Sequence, residues 1–183
     1  MEEFESYLTL LVDGTEKLES DSMILLSGLD LERLQALKQI WESIPTDRRQ
    51  TLIQSLVERA DENSELEYES VFRLSLNDIE AEIRKSSIMG LWDCEDRTII
   101  SPIIQLMRVD ENEEVRAVAA QLVGKFALLV ELGKLLTADQ DLVINGLMQS
   151  IDDPEETLEV RRRVVEALGP ITTSEVHEII REF

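Results

Sequence analysis

The stretch Asp110-Glu111-Asn112-Glu113-Glu114-Val115-Arg116-Ala117-Val118-Ala119-Ala120-Gln121-Leu122-Val123-Gly124 decides the fold. Its acidic lead suits the start of a helix, where carboxylates interact favourably with the exposed N–H groups and the dipole. From Val115 the apolar residues recur at Val118, Ala119, Leu122, Val123 and then Phe126, the spacing of one face of an α-helix. Arg116 stands one turn inside that helix, and small residues follow it.

The same line recurs outward in both directions. Arg84 leads into Ser87, Ile88, Leu91 and Trp92; Arg161 leads into Val164, Val165, Leu168 and Gly169; Arg49 leads into Leu52, Ile53, Leu56 and Val57. In each line the offsets from the arginine are +3, +4, +7 and +8, and the arginines lie 35, 32 and 45 residues apart. Each line is followed by a second amphipathic stretch, roughly 68–76, 97–108, 139–151 and 174–183. The longer third interval points to an insertion near Lys125–Ala138 that extends the first helix of its pair. Helix pairs repeating at such a period predict an α-solenoid, because a single pair cannot bury its apolar face alone.

No segment of comparable length alternates with period two, so the chain is read as all-α with about ten helices. Punctuation between them is short and polar. Pro45-Thr46-Asp47 and Asp61-Glu62-Asn63-Ser64 separate helices, Asp78, Asp110 and Asp152-Asp153-Pro154 precede helix starts, Gly169-Pro170 stops one, and Ser174 is placed to cap the last. Residues 1–44 are read as an N-terminal helical cap or extension, and 45–183 as one continuous solenoid of about four antiparallel helix pairs.

Composition narrows the function classes. The chain has 183 residues, 39 Asp plus Glu against 18 Lys plus Arg, and a formal charge of −21. Twenty of the acids fall in 61–69, 78–82, 93–96, 110–114 and 152–159, which hold no Lys or Arg, so near-neutral helices are joined by acidic loops. Such a balance argues against sequence-independent binding of nucleic acid or anionic membrane, both of which need clustered bases. The basic run Arg161-Arg162-Arg163 reads as a solvated helix face rather than a phosphate site. The N-terminus shows no signal peptide, no segment is long and apolar enough to span a bilayer, and a cytoplasmic location is expected.

Chemistry-bearing residues are sparse. Cys94 is the only cysteine and excludes an internal disulfide or Cys-based zinc site. Its neighbours Asp93, Glu95 and Asp96 disfavour the thiolate, so it reads as an incidental reduced thiol. His177 is the only histidine and is expected on a helix surface, not as a base. The paired acids 152–153 and 155–156 lack the ligand spacing of a calcium loop, and no Gly-rich phosphate cradle is present. These readings predict no enzyme, no metal and no cofactor. Trp41 and Trp92 both stand at core spacing, which favours inter-helix packing over an aromatic ligand cage.

In Asp78–Trp92, Asp110–Gly124 and, more loosely, Asp153–Gly169, the pattern Asp, acidic stretch, Val or Ile plus Arg, small residues, then Leu or Val resembles the HEAT-repeat family. The likeness is to the short bacterial HEAT-like repeats of phycobilin-lyase type. It is strongest in Asp110–Gly124, weakest in Arg48–Ala60, and covers about Thr46–Phe183. It implies a right-handed stack in which the second helices line a concave face. The His-Glu motifs of the family's iron-binding hydroxylases are absent, and the basic face of its DNA glycosylases is opposite in charge to this chain.

Two sets of residues follow as candidates. Asp78 with Arg84, Asp110 with Arg116 and Asp153 with Arg161 are expected to form a structural ladder, each arginine pairing with an acid of the loop before it. Arg73, Ser101, Gln105, Arg108, Asn145, Gln149 and Glu178 stand opposite the apolar stripes of the second helices. They are expected to form a mixed polar row that binds a protein partner, a basic one included. The leading expectation is a non-enzymatic scaffold. Its alternatives are an accessory protein, lyase or chaperone of bilin-type pigment attachment, and a regulatory segment of a longer HEAT-repeat protein. Phe183 ends the chain on an expected core position, which favours the longer array.

Overall fold

The computed structural model describes residues 2–14, 17–19 and 21–182. Among these the chain is helical, with no strand. The α-helices are α1 (Glu2–Asp13), α2 (Leu31–Ile40), α3 (Thr46–Glu62), α4 (Glu69–Ser75), α5 (Ala81–Gly90), α6 (Ile100–Val109), α7 (Glu113–Glu131), α8 (Thr137–Ile151), α9 (Leu158–Leu168) and α10 (Ser174–Glu182). Short 3-10 turns occupy Asp21–Leu26, Trp41–Ser43 and Arg97–Ile99. Helix α7 continues to Glu131, so the extra residues of the third interval do lengthen the first helix of that pair. Phe183 lies outside the described residues.

The chain divides into two compact units, Met1–Cys94 and Glu95–Phe183. In the first, α3 packs on α5, α4 on α5, and α2 on α1 and α4. Helices α4 and α5 run antiparallel. Phe72 faces Gly90 and Ser75 faces Ser87, so three steps forward on one helix are three steps back on the other. Ser75 and Ser87 are fully buried and share a 2.6 Å hydrogen bond between their hydroxyls, while each also bonds the carbonyl four residues back, Val71 and Ile83. Small side chains let the two helices approach closely here. Gly90 is needed for the same reason: a Cβ there would meet the Phe72 ring at 2.6 Å. At the N-terminal end, Arg33 of α2 lies over the Phe4 ring of α1, 5.6 Å from its centre.

In the second unit α7 packs on α9 and α6 on α8, with further contacts between α6 and α7, α7 and α8, and α8 and α9. Helices α6 and α8 lie parallel and in register. Arg97, just before α6, pairs with Asp139 at the start of α8, 42 residues on. One pair of turns later Gly146 lies against Ile104, keeping the same separation, and a Cβ at 146 would come within 2.8 Å of that isoleucine. The core takes Ile99, Ile100, Ile103 and Met107 from the 97–108 stretch and Val115, Ala119, Leu122, Val123 and Phe126 from the expected α7 stripe, all at most 1% exposed, while Val118 of that stripe is half-buried.

Two details depart from the sequence reading. The last helix is capped by Thr173 rather than Ser174: the Thr173 hydroxyl accepts from the Val176 N–H and its carbonyl from the His177 N–H. Trp41 is buried, but Trp92 is 46% exposed. Helix α5 ends at Gly90, and the residues after it form a turn, so the helical phase that carries Leu91 into the core does not extend to Trp92.

Candidate functional site

The repeated aspartates build the same local device three times. Asp78 Oδ1 accepts from the Glu80 N–H at 3.0 Å, Asp110 Oδ1 from Asn112 at 2.9 Å, and Asp153 Oδ1 from Glu155 at 2.9 Å. Each is a turn closed by a short acidic side chain two residues before its partner, which directs the chain into the next helix. The repeated arginines then reach back to the carbonyl of that aspartate: Arg84 to Asp78 O at 2.8 Å, Arg116 to Asp110 O at 2.8 Å, and Arg161 to Asp153 O.

Arg49 and Arg116 pair with carboxylates ahead of them in the chain, where an acid of the preceding loop was expected. Arg49 donates through Nε and Nη2 to both oxygens of Asp78, 29 residues ahead, at 2.8 and 3.1 Å. Arg116 donates through Nε and Nη2 to Glu156, 40 residues ahead, with contacts of 2.8–3.2 Å. Each acid lies beyond the next helix, in the loop between α4 and α5 or between α8 and α9, and the loop before the arginine's own helix supplies backbone carbonyls. The Glu156 carboxylate also accepts from the Thr157 N–H at 2.7 Å, fixing the start of α9. Hydrogen bonding to Glu156 raises the Arg116 pKa, countered in part by burial.

The Asp78 node joins residues 29 and 37 positions apart, which no local sequence pattern reveals. Besides Arg49, it accepts from the Trp41 indole N–H at 2.7 Å, and Arg49 Nη1 donates to the Ile44 carbonyl at 2.7 Å. Both charged side chains are nearly inaccessible, 6% and 1% exposed. The arginine line starting at 49 was visible in the sequence, and the Asp at 78 also; their pairing across intervening helices was not.

The predicted binding row divides between the units. Ser101, Gln105 and Arg108 are exposed on α6, and Asn145 and Gln149 are exposed on α8, so the structure brings the two helices carrying these five residues together. Glu178 is exposed on α10. Arg73, in the first unit, is half-buried and engaged, donating to Glu69 Oε1 at 2.7 Å and lying 3.9 Å from Cys94 Sγ. The face is also less polar than the row suggests, because Val109 is 59% and Leu142 39% exposed on the same two helices.

The remaining singled-out residues fall on structural roles. Arg162 and Arg163 pair with Glu159 and Glu166 on their own helix, and Arg161 with the Asp153 carbonyl. His177 is exposed. Among the described residues, no group of three or more His, Cys, Asp and Glu is placed to hold a metal ion, and no helix is long and apolar enough to cross a membrane. No family model matches the chain, and no curated protein matches it.

Proposed function

We propose that this protein is a non-enzymatic scaffold built from HEAT-like helix pairs, and that it takes a partner protein on the surface formed by α6 and α8. One observation carries the reading. Two parallel, mutually packed helices, α6 and α8, present Ser101, Gln105, Arg108, Asn145 and Gln149 to solvent beside the apolar Val109 and Leu142. Hydrogen-bonding side chains around exposed aliphatic ones suit a protein interface of ordinary polarity. The acidic loops would steer a basic partner toward it. Cys94, a buried thiol outside any disulfide, is compatible with a reducing compartment such as the cytoplasm.

The test is quantitative capture from the native cell with the wild-type chain and with Q105A/N145A/Q149A, whose side chains are exposed. A partner held by the wild type and reduced at least about tenfold by the triple variant supports the site. Equal retention by both forms removes it.

A further inference from the structure

A separate groove lies within the first unit, bordered by the end of α3, the start of α4 and the turn after α5. It encloses about 570 Å³. Phe72, Val57 and Met89 give it an apolar lining, and Trp92 stands at its edge. Met89 is 51% and Trp92 46% exposed, two large apolar side chains displayed side by side on the groove. Every charged residue lining the groove is acidic: Asp61, Glu67, Glu69 and Asp93. Glu69 is engaged by Arg73, but Asp61, Glu67 and Asp93 form no ion pair with a described Lys or Arg. They do not converge as a metal set.

The wall bearing Glu67 is held in place. The Gly28 N–H donates to the Glu67 carbonyl at 2.8 Å and the Glu67 N–H to Ser27 Oγ at 2.9 Å. Gly28 makes that turn with φ of 58°, a left-handed conformation that glycine adopts without a Cβ clash.

We infer that this groove docks an extended basic segment of a partner protein, seating a Lys or Arg side chain against Trp92 with its charged head toward Glu67 and Asp93. The chemistry is complementary at both ends of such a side chain. Its aliphatic stem covers Met89 and the indole, and its cation meets the indole face and carboxylates of one sign. Methionine adapts its shape to varied occupants, which suits a site recognising side-chain chemistry more than a fixed sequence. The inference does not depend on the α6–α8 surface.

Fluorescence anisotropy of a labelled ten-residue peptide of alternating Arg and Leu, titrated with the full chain at physiological salt, tests it. W92A and E67Q/D93N are each expected to weaken binding about tenfold or more, with W92F intermediate. E3Q/E5Q removes the same charge from the exposed face of α1 and is expected to change affinity less than about twofold. Q105A/N145A/Q149A is expected to bind as the wild type does. Equal weakening by E67Q/D93N and E3Q/E5Q assigns the binding to the net charge and overturns the site, as does wild-type affinity in W92A or no binding by the wild-type chain.

Discussion

Arg49 and Asp78 form a bidentate ion pair in the core of the first unit, with the Trp41 indole and the Ile44 carbonyl completing their hydrogen bonds. Removing one partner leaves the other charge buried and uncompensated, which costs far more than the net worth of the intact pair. D78A is therefore expected to destabilise the first unit by about 3–5 kcal/mol. Denaturant unfolding followed by fluorescence checks this, since Trp41 is itself a member of the network; loss below about 1 kcal/mol would show that the pair is solvated.

The Arg116–Glu156 pair should respond differently to a conservative change. Lysine keeps the charge but lacks the planar fork that reaches Glu156 and the Asp110 carbonyl together. R116K is expected to lose about 1–3 kcal/mol, measured by chemical denaturation. Stability equal to the wild type would mean that charge alone, not the two-sided geometry, holds these loops.

Gly90 and Gly133 separate steric from conformational cost. Alanine at 90 must displace the Phe72 ring, which is buried, so G90A is expected to cost about 1–3 kcal/mol. Gly133 has open space around it but a φ of 66°, and G133A is expected to cost about 1 kcal/mol through that backbone conformation alone. Paired thermal melts give the order; G133A as the worse variant would contradict it.

Tyr7 predicts an alkaline limb in stability. Burial raises its pKa from 10.0 to about 12, with the nearby Arg48 charge pulling it down, and its hydroxyl is buried without a hydrogen-bond partner among the described residues. The folded state thus favours the neutral phenol. Its contribution is fully present below pH 10 and is lost as pH rises toward 12, by up to about 2–3 kcal/mol. Y7F should be at least as stable at pH 7 and should show a shallower decline over that window. Identical wild-type and Y7F curves between pH 9 and 12 would exclude the effect.

What the sequence made legible was local. The Asp turns at 78, 110 and 153, the stripes of α6 and α7 and the lengthened α7 all follow from interactions within a few residues, so periodicity and punctuation reveal them. The apolar phase of α5 continues in sequence to Trp92, but the helix stops at Gly90 and the indole turns out of the core. The direction of the arginine pairs was illegible for another reason. Acids precede and follow every one of these helices, and only packing decides which loop lies beside the guanidinium. Trp41 and Asp78, 37 residues apart, share no period that would join them. In the candidate surface, the polar positions of α6 and α8 are exposed, whereas the half-buried Arg73 is engaged by Glu69, a local pair that helical phase alone does not reveal.

Arg116 holds the carbonyls of Asp110 and Glu111 with one nitrogen while its other nitrogens hold Glu156. The guanidinium therefore joins the loop before α9 to the turn that starts α7, more than forty residues upstream. Such a coupling is reciprocal, so opening either loop loosens the other.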